Sequence, residues 1–333
     1  MLFSSCHELT NLLGYFGYTQ TNIFVKLHYQ GIIFGLRKII LKQHPLLFPW
    51  LAFAAVSIFW GTTFLAISIG VKTFPPLFMA ACRHTIAGLL LLSYFLLRGY
   101  TIPKLASLKT FSLNGILMLA GGNGIISWGM QYVGSGLTAL ICALTPVWIV
   151  LINRVSGNQE KLHPLAVLGF VICLLGQFFL FKDKVALFKD EMFIWGVLAV
   201  VLSNFLWALG TVYAKNHQTQ IHPMYVSAWQ MIPGGLFLFI MAFFRGELHA
   251  FAPAPEAINA LLYLIIFGSI LGYGSYMYVI KKLPATIVST YAYINTLVAI
   301  ILGWFWLHEG MDFSTLIAIV LTISGVYLVS RNS

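Results

Sequence analysis

The side chains with the most chemical potential in this chain are polar and aromatic residues that recur at helical spacing inside long apolar runs. On an α-helix, positions three, four or seven apart share one face, so each set forms a stripe. Because a polar stripe is unfavourable in lipid, these faces should turn toward protein or water. They would then line a cavity with aromatic walls and neutral hydrogen-bonding groups, suited to an amphiphilic or aromatic small molecule. The predicted lining residues are Trp60, Thr63, Asn123, Ser127, Gln131, Asn204, Trp207, Thr211, Tyr276, Tyr291 and Asn295.

The alternative interpretation of these stripes is structural. Ser, Thr, Asn and Gln often hydrogen-bond between packed membrane helices, and each such bond contributes about 0.6 kcal/mol on average. Trp is also enriched at membrane interfaces, but Trp60 and Trp207 each lie about a dozen residues into an apolar run, which favours burial.

Two neighbouring residues carry the charge and the titratable chemistry of the apolar runs. Arg83 is the only formal charge inside them, and an Arg near a helix centre costs about 2.5 to 3.5 kcal/mol on insertion scales. Its guanidinium could bind a substrate carboxylate or helix-end carbonyls; the structural alternative is that it reaches the interface or caps the other half of the chain. His84 is the only group there that titrates near neutral pH, so a proton-coupled step would involve it. The alternative is a hydrogen-bonded His at a helix contact.

Enzyme chemistry is not indicated by the motifs. His7-Glu8 and His308-Glu309 begin like a His-Glu-x-x-His zinc motif, but Asn11 and Asp312 occupy the fifth positions. The sequence has no Gly-x-Ser-x-Gly elbow, and its four cysteines form neither a Cys-x-x-Cys pair nor a disulfide framework. We therefore expect a protein that is not an enzyme and has no cofactor or metal. The rings of charge or repeated carbonyl filter of a channel are not evident either.

Composition places the chain in a membrane. Only 8% of its 333 residues are charged and 59% are hydrophobic, whereas a soluble domain has about 25% charged residues. At about 20 apolar residues per crossing, this is enough for on the order of ten transmembrane helices. The formal net charge of +10 is typical of basic cytoplasmic loops, so the lipid bilayer rather than nucleic acid is the expected partner.

Ten near-continuous apolar runs are separated by turn or basic segments. Strand-type alternation is absent, and lipid offers backbone groups no partners, so the runs should be helices rather than strands of a barrel. The sequence therefore predicts an all-α polytopic membrane protein. The predicted spans lie at about 48–70, 75–97, 111–133, 136–153, 164–181, 192–214, 223–244, 257–280, 285–307 and 314–330.

The distribution of basic residues predicts the orientation. If the N-terminus is cytoplasmic, 13 Lys and Arg residues fall in inside segments and 5 in outside segments, three of them in the connection after the fifth span. The positive-inside rule therefore favours a multi-pass plasma-membrane protein with both termini in the cytoplasm. Residues 1–47 lack the pattern of a signal peptide and are interpreted as a cytoplasmic or interfacial extension; a loosely ordered tail is the alternative.

The two halves of the chain resemble each other. An offset of 147 residues pairs Trp60 with Trp207 and Gly88 with Gly235, and an offset of 149 pairs Gly176 with Gly325 and Glu160 with Glu309. The ordered matches indicate a duplicated unit of five helices. Because five is odd, the second unit must enter the membrane from the opposite side, which is the arrangement of many secondary transporters.

Several segments resemble the EamA family of the drug/metabolite transporter superfamily. They are the segment from Phe59 to Phe64, the Pro76 to Gly88 stretch with Arg83, the Gly136 to Pro146 segment, Gly169 and Gly176, and Ala285-Thr286 through Gly303 to Glu309. The resemblance implies ten transmembrane helices in two inverted EamA repeats, at 48–181 and 192–330. It also implies a transporter that exports or exchanges small metabolites, commonly amino acids or related compounds, by alternating access.

The chain departs from the family pattern at one place that bears on a helix kink. Pro146 is the predicted kink of the fourth helix, whereas Asn295-Thr296 stands where many members carry a Glu-Pro pair, so the resemblance does not by itself imply a kink in the ninth. Related antiporters of cationic drugs resemble one another in using a membrane-embedded Glu. The predicted spans here contain none, which disfavours that activity. A flippase for lipid-linked or sugar-conjugated molecules stays open, as do coupling to protons or a counter-solute and the oligomeric state.

Overall fold

Helices form all the regular structure in the part of the chain that the computed structural model describes, which is residues 47–156, 163–182, 189–249, 252 and 254–332. Residues 51–333 make one compact unit, and of residues 1–50 only the start of the first helix is described. The predicted extension at 1–47 therefore lies almost wholly outside the described residues. The helices are α1 (Leu47–Gly70), α2 (Pro76–Leu97), α3 (105–133), α4 (Ser135–Val155), α5 (Pro164–Lys182), α6 (Glu191–Asn216), α7 (Pro223–Phe244), α8 (Pro255–Lys282), α9 (285–307) and α10 (Phe313–Arg331).

The helix boundaries follow from local sequence. A proline opens α2, α5, α7 and α8, where its missing N–H costs nothing and its fixed φ suits the first turn. Asp190 caps α6 by accepting a hydrogen bond from the backbone N–H of Met192 at 2.9 Å. Gly134, at φ +83°, separates α3 from α4 with a backbone angle that other residues rarely adopt.

Seven helices in the described part of the chain are long and apolar enough to cross a membrane: α1, α2, α4, α6, α7, α8 and α9. Shorter apolar helices occupy 164–176 of α5 and 313–325 of α10. α3 is 29 residues long by its bounds but is not among these seven helices, and it includes Gly121, Gly122 and Asn123 near its middle. The part of the chain that the structure describes is therefore all-helical, and the protein is a multi-pass membrane protein, as its composition predicts.

Matched backbone irregularities occur in the two halves. In α3 the segment Ile116–Gly124 is π-helical, and in α8 the segment Leu264–Tyr273 is π-helical. These segments stand 148 to 149 residues apart, the same offset as the sequence repeat. A π-helical segment leaves the ordinary hydrogen-bond ladder and is often found at functional sites.

α4 and α9 are also interrupted at matching places. α4 breaks at Ala143–Leu144, and Pro146 stands in the first turn of its continuation. α9 breaks at Thr290, whose hydroxyl donates to the carbonyl of Ile287 at 2.7 Å. The ninth helix is thus interrupted without a proline, a feature that the Asn295-Thr296 pair left undetermined.

The halves pack through their matched glycines. A Cβ on Gly88 of α2 would lie 2.9 Å from Met231 Cβ of α7, and one on Gly235 would lie 2.3 Å from Thr85 Oγ1. A Cβ on Gly176 of α5 would lie 2.5 Å from Thr322 Oγ1 of α10, and one on Gly325 of α10 would lie 2.5 Å from the carbonyl oxygen of Gly169 of α5. Small residues let membrane helices approach at backbone distance. Both crossings thus join corresponding helices of the two halves.

The bundle has two ends, named here by the residues that mark them. At the Glu309 end lie the end of α1, the end of α3 and the end of α9, where Ser68, Gln131 and Leu307 line one opening. At the Lys281 end lie the end of α6, the start of α7 and the end of α8, where His217, Pro223 and Lys281 line one crevice. α2 begins at the Glu309 end and its counterpart α7 at the Lys281 end, so these matched helices run in opposite directions.

Candidate functional site

A cavity of about 70 Å³ lies between the two halves, enclosed by α1, α3, α4, α6 and α9. Seven of the eleven predicted lining residues surround it: Trp60, Thr63, Asn123, Asn204, Trp207, Tyr291 and Asn295. The described side chains that line it are all uncharged, and those beyond the seven are mainly apolar. The cavity can therefore offer hydrogen bonds and aromatic faces but no fixed charge.

The three asparagines in the wall have different tasks. Asn204 is tied to the break in α4: its Nδ2 donates to the carbonyl of Ile141 at 3.0 Å, and its Oδ1 accepts from Thr145 Oγ1. Asn123 on α3 makes no side-chain hydrogen bond with described residues, and Asn295 on α9 accepts only a long contact of 3.5 Å from Thr296 Oγ1. The Asn123 and Asn295 carboxamides are thus available to a ligand, whereas that of Asn204 holds the scaffold.

An aromatic cluster of Trp60, Trp207, Tyr276 and Tyr291 closes the cavity toward the Lys281 end. The Trp60 ring centroid lies 5.1 Å from that of Trp207, 4.9 Å from that of Tyr276 and 5.0 Å from that of Tyr291. Edge-to-face and tilted pairs at such distances contribute about 0.5 to 1.5 kcal/mol each beyond their buried area. The helices α1, α6, α8 and α9 thus meet at this aromatic cluster.

The π-helical segment of α8 supports this aromatic cluster. Trp60 Nε1 donates to the carbonyl oxygen of Gly268 at 3.0 Å. A Cβ on Gly268 would lie 2.5 Å from Arg83 Nη2 and 3.0 Å from Thr63 Cγ2. Gly268 therefore gives the guanidinium access to the α8 backbone, and Gly272, where a Cβ would lie 2.4 Å from Trp60 Nε1, gives that access to the indole.

Arg83 is buried at 3% exposure, so its side chain does not reach an interface. Its Nε donates to Ser269 Oγ of α8 at 2.9 Å. The interpretation in which it snorkels to the membrane surface is wrong, because the side chain turns inward to the other half of the chain. Arg83 does not line the central cavity, but its guanidinium lies against Gly268, as does the methyl group of Thr63, which does line it.

His84 differs from the expected hydrogen-bonded histidine. It is 1% exposed, and neither ring nitrogen has a hydrogen-bond partner among the described residues. The expectation of a satisfied His is therefore wrong, since helix packing buries the ring without supplying an acceptor or donor. It also does not line the central cavity.

Four predicted lining residues lie elsewhere. Tyr276 belongs to the aromatic cluster and hydrogen-bonds to Thr211 at 2.7 Å, and neither side chain lines the cavity. Ser127 is buried and donates to the carbonyl of Asn123 at 2.7 Å. Gln131 is exposed and lines the opening at the Glu309 end. Gln131 does not share the cavity with Asn123 because eight residues advance a helix by about 12 Å and rotate it by about 80° from its starting face.

Several lining residues have no strong sequence signal. Cys142, Thr145 and Ser203 face the cavity, together with Phe64, Ile67, Gly122, Ile126 and Ala292. The Thr145-Pro146 pair after a run of small residues could have indicated Thr145, since it marks the helix break. Within the described residues, no three His, Cys, Asp or Glu side chains are placed to hold a metal ion.

Two carboxylates close the Glu309 end by binding helix N-termini of the first half. Glu309 Oε1 accepts from the N–H and the hydroxyl of Ser135 at 2.8 and 2.6 Å, and Oε2 accepts from the Gly136 N–H at 2.8 Å. Glu247 Oε2 accepts from the Phe78 N–H at 2.9 Å, and burial raises the pKa of the Glu247 carboxyl. Negative charge at a helix N-terminus is favourable, so both contacts tie the two halves together. An open space of about 670 Å³ at this end is lined by Glu309 but not by Glu247.

Comparison with known proteins places this architecture in a family. The EamA-like transporter family matches residues 47–182 and 194–331. The chain is 33% identical over 288 residues to the uncharacterized inner membrane transporter YedA of Escherichia coli strain K12, covering 83% of this chain and 91% of YedA. It is 26% identical to the uncharacterized transporter YoaV of Bacillus subtilis strain 168 over 84% of this chain and 95% of YoaV.

A more distant relative and a solved structure extend the comparison. A chloroplastic WAT1-related protein of Arabidopsis thaliana is 26% identical over 84% of this chain and 69% of its own length. One crystal structure has the same fold, with a TM-score of 0.62 at 18% identity, covering 84% of this chain and 96% of that one. The family match covers most of the chain, and the relatives are named as transporters. This chain belongs to the EamA-like transporter family and is a membrane transporter of that type.

Proposed function

We propose that this chain exports or exchanges small neutral or zwitterionic metabolites, such as amino acids, by alternating access around the central cavity. The observation that carries the proposal is the pair of free carboxamides, Asn123 from the first half and Asn295 from the second, which face one cavity. A ligand bridging them would contact both halves, so its binding would respond to their relative movement.

The uncharged wall supports the substrate class. A cationic drug would need a buried carboxylate for charge compensation, whereas a neutral or zwitterionic molecule can be held by amides, hydroxyls and rings. The cavity of about 70 Å³ is smaller than the roughly 300 to 1,000 Å³ of ordinary ligand sites, so it must widen to bind even a small metabolite. A compact metabolite requires less widening than a lipid-linked sugar.

The matched halves support the transport cycle. The proposed membrane arrangement is ten transmembrane helices in two inverted repeats, 48–181 and 192–330, with both termini in the cytoplasm. In this orientation, which rests on the positive-inside rule, the wide opening at the Glu309 end faces outside and the aromatic cluster seals the cytoplasmic side. A relative named as an inner membrane transporter supports a plasma-membrane location.

A binding and transport experiment tests the proposal. Detergent-purified protein is screened by thermal unfolding against the common amino acids, nucleosides, sugars and lipophilic cations, because a ligand that binds only the native state raises stability by RT ln(1 + [L]/Kd). The ligand with the largest shift is then assayed in proteoliposomes, with and without a pH gradient or unlabelled internal ligand. Asn123→Ala and Asn295→Ala are the test variants, and Gln131→Ala is the matched control outside the cavity.

We expect an amino acid or another neutral metabolite to shift the unfolding temperature. Each test variant should weaken its binding roughly two- to tenfold, the loss of one net hydrogen bond. The control should bind like the wild type. A shift with lipophilic cations alone, or full transport by both test variants, would sink the proposal.

A further inference from the structure

A second polar crevice lies beyond the aromatic cluster, at the Lys281 end of the bundle. It is enclosed by α3, the end of α6, the start of α7 and α8, and it has a volume of about 40 Å³. That is the space of about three water molecules, enough for a carboxylate-sized group. The side chains used in the argument below are Thr110, Asn114, His217, Gln230 and Lys281.

A buried acceptor without a partner lies behind the crevice wall. Asn114 is 1% exposed, its Nδ2 donates to Met118 Sδ at 3.4 Å, and its Oδ1 has no hydrogen-bond partner among the described residues. A Cβ on Gly210 of α6 would lie 3.3 Å from this oxygen, which is closed to solvent and so does not itself face a ligand in the crevice.

A close helix crossing brings a second amide to the same place. A Cβ on Gly115 of α3 would lie only 2.0 Å from the carbonyl oxygen of Gln230 on α7. Gln230 is 2% exposed, and its Oε1 accepts from the Tyr273 hydroxyl at 2.7 Å. Its Nε2 makes no hydrogen bond within the described part of the chain and lies at the crevice wall.

The charge of the crevice is positive. Lys281 Nζ donates to the carbonyl of Ile221 at 3.2 Å, which leaves two of its three N–H groups for a ligand. His217 Nδ1 donates to the Tyr213 carbonyl at 2.9 Å, and Lys215 Nζ lies near the wall on the carbonyls of Ile280 and Leu283. Burial and the charge of Lys281 lower the pKa of neighbouring His222, as a positive local field requires.

Tyr273 connects this crevice to the aromatic cluster. Its hydroxyl binds Gln230 in the crevice, while its ring lies 6.2 Å from that of Trp207 and 6.5 Å from that of Tyr276, both in the cluster. The crevice and the central cavity therefore lie on opposite sides of one wall of rings.

We propose that the crevice is a second ligand site on the same pathway, which holds the carboxylate of a small metabolite on Lys281. The assignment rests on the proposed transport function, since it gives the substrate a second binding position on the far side of the aromatic cluster. It narrows the substrate class to small carboxylates.

Cysteine labelling tests the electrostatic part of the proposal without knowledge of the substrate. The four native cysteines are replaced by Ser, unchanged unfolding temperature being required, and Asn114→Cys or Thr110→Cys is introduced. The labelling rates of an anionic sulfonate and a cationic trimethylammonium methanethiosulfonate reagent are compared. Thr110→Cys provides the readout where Asn114→Cys fails to fold.

We expect Lys281→Gln to reduce the anionic-to-cationic rate ratio roughly fivefold, the effect of removing one charge at about 8 Å in a water-like medium, where it acts with opposite sign on the two reagents. The matched control Lys282→Gln removes an exposed neighbouring charge and should change the ratio less than twofold. No labelling at either position, or the same rate ratio in Lys281→Gln as in the parent protein, would overturn the proposal.

Ligand protection tests the carboxylate assignment. L-Alanine at millimolar concentration should slow labelling, whereas L-alaninamide, which lacks the carboxylate, should not. Equal protection by both compounds, or by neither, counts against the site. Failure of the transport function is read separately from the Asn123→Ala and Asn295→Ala variants, because these residues lie in the central cavity.

Discussion

Trp60 and Trp207 occupy matching positions in the two halves of the chain and meet edge to face, with their ring centroids 5.1 Å apart. Each is less than 10% exposed, and each lines the central cavity. Their contact places the junction between the two halves at the cavity itself. Relative movement of the halves must therefore rearrange this pair.

The hydrogen bond from Trp60 to Gly268 should stabilise the closed state at the Lys281 end. Trp60→Phe keeps a ring but removes the Nε1–H donor, which costs about 0.5 to 1.5 kcal/mol. We expect transport to fall roughly two- to tenfold in proteoliposomes, together with a modest fall in the unfolding temperature, because the bond is made in the folded protein. Trp306→Phe, at an exposed position, is the matched control. Transport by Trp60→Phe at the rate of that control would show that the bond does not matter to the cycle.

Asn204 should matter for stability where Asn123 matters for binding. Asn204→Ala leaves the Ile141 carbonyl and the Thr145 hydroxyl without this partner at the break in α4, at a cost of about 1 to 3 kcal/mol. We expect the unfolding temperature in detergent to fall for Asn204→Ala and to stay unchanged for Asn123→Ala. The same fall in both variants would contradict the division of tasks among the cavity asparagines.

Arg83 should act on transport through α8 rather than on folding. Arg83→Gln removes a buried cation, whose insertion costs about 2.5 to 3.5 kcal/mol, and keeps a donor near Ser269. We expect an unfolding temperature that is unchanged or higher, together with reduced transport, because the guanidinium no longer packs on Gly268, which the methyl group of Thr63 also contacts. Arg98→Gln, at the end of α2, is the control. Strong destabilisation by Arg83→Gln alone would instead assign Arg83 a folding role.

His84 should be replaceable by an apolar residue. Both ring nitrogens are buried without partners among the described residues, so His84→Leu removes an unsatisfied polar group that costs about 1 to 3 kcal/mol. We expect a higher unfolding temperature and an unchanged dependence of transport on external pH. Loss of a pH dependence that the wild type shows would restore His84 as the coupling group.

Glu309 should hold the Glu309 end together. Glu309→Ala removes the acceptor for the backbone N–H groups of Ser135 and Gly136, and charge-assisted bonds of this kind contribute about 1.5 to 3 kcal/mol each. We expect a clear fall in the unfolding temperature. Glu256→Ala, which removes an exposed carboxylate at the start of α8, should leave that temperature nearly unchanged. Equal effects of the two substitutions would show that the Glu309 contacts add nothing to stability.

The stripe on α3 shows how far sequence reasoning extends within the site. Asn123 and Gln131 look equivalent in sequence, because each stands four residues from Ser127 and residues four apart lie near one helix face. In the structure Asn123 lines the cavity and Gln131 lines the outer opening. The same pattern predicted Asn204 as a lining residue. Whether its carboxamide is free for a ligand or joins helices depends on the break in α4, to which it hydrogen-bonds. A stripe thus selects polar faces without giving the depth of a residue or its partners.

The sequence by itself determined the membrane class, the helical segments, the duplication and the family resemblance. These depend on composition and periodicity, and the exclusion of unpaired backbone from lipid leaves helices as the solution for near-continuous apolar runs. Tertiary structure alone decided the π-helical segments, the aromatic cluster, the inward course of Arg83 and the capping of α4 by Glu309. The aromatic cluster and the contacts of Arg83 and Glu309 join residues far apart in the chain, and the distance between two such residues is fixed by how the helices pack and not by the local preferences of either one.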